Sequence, residues 1–242
     1  MRTGALAAAV LAAAALTAAG AAAQGAGSPD GLRAAEYSVS STRYGHDALG
    51  PGHEWAMLAL HRADGGTLFY RNDREIVFED TAPRLVDADG DGDLEVLVVE
   101  SSHSKGSRLA VWTGAGRLAA TPFIGRRHRW LAPVGAADLD GDGRVEIAYV
   151  ETPHLGKVLK VVRPEGDRLV PVAEAAGLTN HRFGDPFIQG RIATCDGRAT
   201  ILTADADWRR VIATTLSGGA LSSRDLGPYR GAEGFDRLAG FD

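Results

Sequence analysis

Cysteine is almost missing from this sequence, since Cys195 is the single one among 242 residues. One cysteine cannot form an internal disulfide, so stability must come from burial of apolar side chains or from bound metal. We expect Cys195 to be a small core residue. An excess of positive charge is missing too, because the formal net charge is −5, which argues against a nucleic-acid-binding protein.

Long apolar runs are also missing, apart from one near the N-terminus. Arg2 precedes the apolar run Ala5–Ala19, and the small residues Ala21–Ala23 follow it. This arrangement predicts a signal peptide over residues 1–23, with a retained N-terminal anchor as the alternative. No cysteine lies near the cleavage site, so a lipoprotein is not expected. We predict a secreted or periplasmic protein with no integral membrane span after signal cleavage.

The helical period of 3.6 residues is hard to find beyond the N-terminal region. We predict a flexible leader over residues 24–34 and one domain over 35–242, in which short β-prone segments alternate with Gly, Asp, Asn and Pro. Only Ala173–Leu178 fits a helical turn. This pattern indicates an antiparallel sandwich, barrel or propeller. The predicted strands are Tyr37–Thr42, Glu54–His61, Thr67–Arg71, Glu75–Glu79, Leu94–Glu100, Arg108–Thr113, Val145–Glu151, Val158–Val162, Leu169–Val172, Phe187–Ala193, Ala199–Thr203, Arg210–Thr215 and Ala220–Asp225.

An internal repeat favours the propeller over the sandwich and the barrel. The segment Asp87–Glu95 recurs as Asp138–Glu146, an offset of 51 residues, and each copy leads into an aliphatic strand. Both faces of the strand Leu94–Glu100 are largely apolar, which suits a sheet buried against a neighbour on each side. The expected fold is therefore all-β, a small β-propeller of about four or five four-stranded blades with Ca-binding loops.

The repeated segment follows the pattern D-x-D-G-D-G-x-x-E, which carries oxygen donors at loop positions 1, 3, 5 and 9. A backbone carbonyl at position 7 completes the set, and hard oxygen ligands in this number favour Ca²⁺ over Mg²⁺. Converging carboxylates repel one another, so the loops need a cation or protonation. The predicted ligands of two structural Ca²⁺ ions are Asp87, Asp89, Asp91, Asp93 and Glu95 in the first copy and Asp138, Asp140, Asp142, Arg144 and Glu146 in the second.

The acidic loops have two other possible interpretations, an EF-hand and a turn without metal. An EF-hand needs an acid at position 12 and a helix after it, but Val98 and Tyr149 occupy that position and β-prone residues follow. The EF-hand is therefore excluded on both counts. A solvated acidic turn without metal is the remaining alternative.

These loops and strands resemble the FG-GAP/VCBS repeats of integrin-α-like β-propellers, over about residues 74–163. The resemblance implies that each loop joins the first two strands of a blade and that its ion is structural. The sequence departs from the family pattern at position 9, where Glu95 and Glu146 replace the usual Asp. The chain is also too short for a seven-bladed ring, so we expect a compact ring or an incomplete one that needs a partner.

A second set of residues combines arginine, histidine and aromatic side chains at two places in the chain. Arginine beside aromatic rings can hold a carboxylate, phosphate or sugar, and contacts between blades are the alternative role. The candidate ligand-binding residues are Arg127, His128, Arg129, His181 and Arg182.

No nucleophile motif or nucleotide-binding motif accompanies these residues. We predict a non-enzymatic, extracytoplasmic calcium-binding propeller that serves as a binding or scaffold module for an unidentified protein or glycan. The alternative is a secreted hydrolase or lyase that acts on an anionic or sugar ligand at a propeller face lined by His and Arg. Convergence of His46, His128 and His181 on one pocket would favour a ligand-binding or enzymatic role.

Overall fold

The computed structural model describes residues 31–238 of the chain. The predicted signal peptide, residues 1–23, and most of the predicted leader lie outside these residues. Strand β1 begins at Leu32, so the last three residues of the predicted leader, 32–34, belong to a strand and not to a loose segment. Leu32 is buried in the core, and this burial stabilises the start of the strand.

Within the described residues the structure has 17 strands and one short helix, which confirms the all-β prediction. The strands are β1 (Leu32–Ser40), β2 (Glu54–Arg62), β3 (Thr67–Arg71), β4 (Ile76–Glu79), β5 (Arg84–Val86), β6 (Glu95–Ser102), β7 (Gly106–Thr113), β8 (Gly116–Ala120), β9 (Leu131–Ala137), β10 (Glu146–Glu151), β11 (Val158–Glu165), β12 (Arg168–Ala176), β13 (Leu178–Thr179), β14 (Arg191–Cys195), β15 (Arg198–Asp205), β16 (Arg210–Ser217) and β17 (Ala220–Pro228). The helix is α1 (Glu233–Leu238).

The strands form consecutive antiparallel meanders, which we call units 1 to 4. Unit 1 is β1–β3, and β4 connects it to the next unit by pairing with both β2 and β6. Unit 2 is β5–β8, unit 3 is β9–β12 and unit 4 is β14–β17, and in each of these every strand pairs with the next. Such up-and-down units are the blades of propeller-type folds.

The two faces of one strand pack into different cores, as the sequence of β6 predicts. Val96 lies in a cluster with Leu58 of unit 1. Leu97 lies in a separate cluster with Ile147 of unit 3. Each fully buried aliphatic side chain contributes about 1.5–3 kcal/mol, so both neighbours help to hold the central sheet.

The same alternation continues along the chain. In β10, Tyr149 lies in the core between units 2 and 3, and Val150 lies in the core between units 3 and 4. In β15, Ile201 faces unit 3, and Leu202 lies in a cluster with Phe235 of α1. The units are therefore sheets stacked face to face, each sharing a core with the next, in a propeller-type arrangement.

Most predicted strands are present, with bounds that shift by a few residues, and β5, β8, β9 and β13 are additional. The predicted helical turn Ala173–Leu178 is wrong. Ala173–Ala176 form the end of β12 and pair with β11, because sheet pairing outweighs the helical propensity of alanine. Gly177, with a φ of 83°, then turns the chain into β13.

Two smaller predictions concern Cys195 and the membrane. Cys195 is buried at the end of β14 and forms no disulfide, as expected. The one helix in residues 31–238, α1, has six residues and is too short to cross a bilayer.

Candidate metal and ligand sites

The two acidic loops occupy equivalent places in neighbouring units. Loop 1, Asp87–Glu95, connects β5 to β6, the first two strands of unit 2. Loop 2, Asp138–Glu146, connects β9 to β10, the first two strands of unit 3. This is the placement that the resemblance implies for a metal loop of a propeller blade.

Backbone amides of each loop donate hydrogen bonds to carboxylates of the same loop. Asp87 accepts from the amides of Gly90 at 2.7 Å and Gly92 at 3.2 Å, and Glu95 accepts from the Ala88 amide at 2.8 Å. The corresponding three bonds of loop 2 measure 2.7, 2.9 and 2.9 Å. Gly90 and Gly92 have φ values of 81° and 92°, a left-handed region that costs other residues about 1–2 kcal/mol.

Three carboxylates converge in each loop. Carboxylate oxygens at short separation are the ligands that a hard divalent cation such as Ca²⁺ prefers. The groups whose oxygens lie within 4.8 Å of one another are Asp87, Asp89 and Glu95 in loop 1 and Asp138, Asp140 and Glu146 in loop 2. The other predicted ligands are in the same loops but outside these groups, namely Asp91, Asp93, Asp142 and Arg144. Their role as ligands stays a prediction.

In loop 1, the converging carboxylates form no ion pair with a basic side chain of the described residues. Burial raises the pKa of Glu95 to about 7; the Ala88 amide opposes this rise, and the charges of Asp89, Asp91 and Asp87 add to it. The loop borders a surface cavity of about 230 Å³. The donor set of loop 1 therefore fits a divalent cation, which would offset this negative charge.

Loop 2 differs, because it encloses a basic side chain. Arg163 of β11 donates from Nε to Glu146 at 2.6 Å, and its Nη2 lies 3.0 Å from Asp142 and 3.3 Å from Asp140. The side chain of Arg163 is only 13% exposed. One guanidinium thus contacts three carboxylates and offsets one of their three negative charges. Sequence reasoning missed this residue because the predicted strand ends at Val162, one residue too early.

Histidines from separate loops meet at another place in the molecule. The ring of His46 stacks on that of His128, with centroids 4.8 Å apart, and His46 Nδ1 donates to Glu79 at 2.6 Å. Glu79 is 1% exposed; burial raises its pKa, and the hydrogen bond from His46 acts against that rise. We define the histidine face as His46, His128, His154, His181 and Phe183.

A second pair of histidines completes this face beside Trp130. His154 Nε2 and His181 Nδ1 are 2.8 Å apart, and His181 Nε2 donates to the Asp185 carbonyl at 2.9 Å. His181 Nδ1 is therefore the acceptor in the neutral ring, and His154 Nε2 carries the proton. Burial and the neighbouring His181 lower the pKa of His154 to about 3. Trp130 stacks on His154, with centroids 5.9 Å apart.

Phe183 contacts both pairs of histidines, and its own ring is exposed to solvent. Its ring centroid lies 6.1 Å from that of His46 and 5.3 Å from that of His154, and the residue is 62% exposed. Arg127 borders the same face, because its Nε donates to His128 Nε2 at 3.0 Å. Ring contacts of Phe183 with His46 and His154 thus connect the two histidine pairs. The ligand-binding role of this face stays a prediction.

The other two candidate arginines have different surroundings. The guanidinium of Arg182 lies over the rings of Trp208 and Tyr229, at 4.5 and 5.2 Å from their centroids. The side chain of Arg129 is half-buried, and its backbone carbonyl accepts a hydrogen bond from the Ser107 amide at 2.8 Å. Of the three predicted arginines, all within the described residues, only Arg127 forms a side-chain hydrogen bond with the histidine face.

Residues 87–149 match the family model described as "FG-GAP-like repeat". This segment is similar to an FG-GAP-like repeat. It contains both acidic loops and all of strands β6–β9. The match and the stacked meanders of units 1 to 4 fit a fold of the β-propeller type.

No curated protein matches this sequence. Among solved structures, the chain is similar to one described as "Crystal structure of exotype rhamnogalacturonan lyase YesX", with a TM-score of 0.46 and 17% sequence identity. The similarity covers 78% of this chain and 43% of that chain, so the present chain spans less than half the length of the lyase.

Proposed function

We propose that this chain is an extracytoplasmic calcium-binding module whose propeller-type fold serves binding and not catalysis. The observation that carries the proposal is the convergence of Asp87, Asp89 and Glu95 in loop 1. Their oxygens form a hard donor set with no ion-paired Lys or Arg among the residues described. The signal-peptide pattern of residues 1–23 supports a place outside the cytoplasm.

Calcium in loop 1 would act on the stability of unit 2. Two carboxylates at 4 Å repel by about 4 kcal/mol at an effective dielectric constant near 20, and a divalent ion converts this repulsion into attraction. Calcium sites of extracellular modules have Kd values of about 10⁻⁴–10⁻³ M. The ion would thus stabilise the folded conformation of the loop between β5 and β6.

Thermal unfolding with and without calcium tests this role. At a free calcium concentration 100 times Kd, binding to the folded state alone adds about 2.7 kcal/mol. For a domain of this size, that gain raises Tm by about 5–10 °C. Asp89→Asn should abolish the rise, and Asp207→Asn, at an exposed aspartate outside the loops, should preserve it. Equal Tm values in calcium and in EGTA would reject the proposal.

The histidine face is the surface to which we assign ligand binding. It presents the exposed ring of Phe183 beside the imidazole of His46, which stacks on His128. The guanidinium of Arg127 is hydrogen-bonded to His128 on the same face. Arginine beside aromatic rings suits a carboxylate or a sugar. An anionic glycan or an acidic protein segment is therefore the expected class of ligand.

An enzymatic role at the same face is the second candidate. Glu79 is buried and accepts the Nδ1 proton of His46, which leaves His46 Nε2 as a proton acceptor. A carboxylate-oriented imidazole is a common general base. A hydrolase or lyase that acts on an anionic sugar would use such a base beside Arg127.

Titration with a uronic-acid oligosaccharide separates the two roles. Shifts of the histidine ring signals in NMR spectra that disappear in Arg127→Ala, with no new sugar product, support the binding role. Release of sugar product that is lost in His46→Ala supports the enzymatic role instead. Arg168→Ala, at an exposed arginine at the start of β12, serves as the matched control. Unchanged spectra and no product would exclude uronic-acid sugars as ligands.

A further inference from the structure

The two acidic loops differ at the residue opposite their buried glutamate. In the hairpin β10–β11, Ile147 pairs with Val162, and Glu146 and Arg163 are the next residues outward on the two strands. In the hairpin β6–β7, Val96 pairs with Trp112, and Glu95 and Thr113 are the corresponding next residues. Loop 2 thus has an arginine at the position where loop 1 has a threonine.

Arg163 uses the same oxygens that an ion in loop 2 would need. It contacts Glu146 and Asp140, which are two of the three converging carboxylates, and also Asp142. Glu146 is fully buried, and the side chain of Arg163 is 13% exposed, so solvent screens their pairing only weakly.

The charge of the two loops differs accordingly. Loop 1 carries five carboxylates, a formal charge of −5. Loop 2 carries four carboxylates and Arg144, a formal charge of −3, which the guanidinium of Arg163 from β11 reduces to −2. The affinity of oxygen sites for Ca²⁺ depends strongly on the number of ligand charges. Loop 2 therefore has a smaller attraction for a divalent ion, and its ligands already have a partner.

We propose that Arg163 is the built-in counter-cation of loop 2 and that it excludes a divalent ion there. This inference rests on the proposed function for the identity of the ion in loop 1. Calcium could enter loop 2 only by displacing the guanidinium from a buried carboxylate. The donor set of loop 2 does not fit a second structural Ca²⁺, although its local sequence repeats that of loop 1.

Calcium stoichiometry from isothermal titration of the full chain tests the exclusion. We expect one ion per wild-type chain and a second ion in Arg163→Thr, which copies the residue of loop 1. The reverse substitution, Thr113→Arg, should weaken binding at loop 1 by at least about tenfold, because a charge-assisted pair then competes for Glu95. Two ions of equal affinity in wild type would overturn the exclusion, and so would the absence of an added ion in Arg163→Thr.

The result also separates this inference from the proposed function. If wild type binds no calcium but Arg163→Thr binds one ion, Arg163 excludes the ion as inferred, and the assignment of loop 1 is wrong. If Arg163→Thr does not fold, single aspartate variants replace it. Asp89→Asn should then abolish calcium binding, and Asp140→Asn should leave it within twofold of wild type. A comparable loss in Asp140→Asn would overturn the exclusion.

Discussion

Loop 1 and loop 2 have nearly the same local structure and different electrostatics. Their matching hydrogen bonds agree within 0.3 Å, and the same glycines adopt positive φ in both. Arg163 nevertheless pairs with loop 2, and Thr113 occupies the matching position beside loop 1. The repeated pattern therefore determines the shape of the turn, whereas a residue on the second strand after the loop determines which cation offsets its charge.

We expect the largest difference in the free energy of unfolding when the two buried glutamates, Glu146 and Glu95, are each replaced by glutamine in the absence of metal. Glu146→Gln removes the main partner of Arg163 and should lower the free energy of unfolding by about 2 kcal/mol, because a buried charge loses its pair. Glu95→Gln removes one charge from a repelling group and should leave stability equal or higher. Urea unfolding in EGTA at pH 8 measures both. Equal losses would show that the loops do not differ in charge balance.

An effect of intermediate size is the pH dependence of the free energy of unfolding. Part of it depends on His154 of the histidine face and not on the acidic loops. Burial, His181, His46 and Lys157 all lower the pKa of His154 to about 3, below its unfolded value near 6.5. The unfolded chain then binds more protons between these values, so stability is complete above pH 6.5 and falls as pH decreases.

Because His154 is partly exposed, solvent screening reduces its effect on stability. We expect its neutral state to cost about 1 kcal/mol of the free energy of unfolding at pH 5, relative to pH above 6.5. His154→Gln should remove that part of the pH dependence in urea unfolding in EGTA. It should leave the calcium-induced rise in Tm unchanged, because His154 is in neither loop. If the stability of His154→Gln depended on pH as wild type does, the assignment of this pH dependence to His154 would be contradicted.

The smallest expected effect concerns Arg144, the other arginine of loop 2. Its guanidinium lies 3.8 Å from Glu165, and both side chains are more than half exposed. Exposed pairs of this kind contribute about 0–1 kcal/mol, so Arg144→Ala should change the free energy of unfolding by less than about 0.5 kcal/mol. A loss as large as that of Glu146→Gln would mean that Arg144, and not Arg163, balances loop 2.

The sequence was sufficient for most of the strands and for the positions of the acidic loops, because both depend on local patterns. The alternating aliphatic residues of β6 predict two buried faces, and Val96 and Leu97 do pack into separate cores. Short strands such as β5, with three residues, carry too few side chains for a recognisable period. The alanines of β12 have a helical preference that the sheet overrides.

The candidate sites depend on contacts that no local pattern contains. Arg163 is 17 positions after Glu146, and only the pairing of β10 with β11 brings the two together. Glu79 was not singled out because it belongs to no repeated motif. It meets His46 because β4, which ends at Glu79, lies beside the connection between β1 and β2.

The most direct test of this account is an anomalous difference map from crystals grown in calcium. The account predicts one strong peak among the carboxylates of Asp87, Asp89 and Glu95, with Arg163 still bound to Glu146 in loop 2. Peaks of equal height in both loops, or no peak in loop 1, would contradict it.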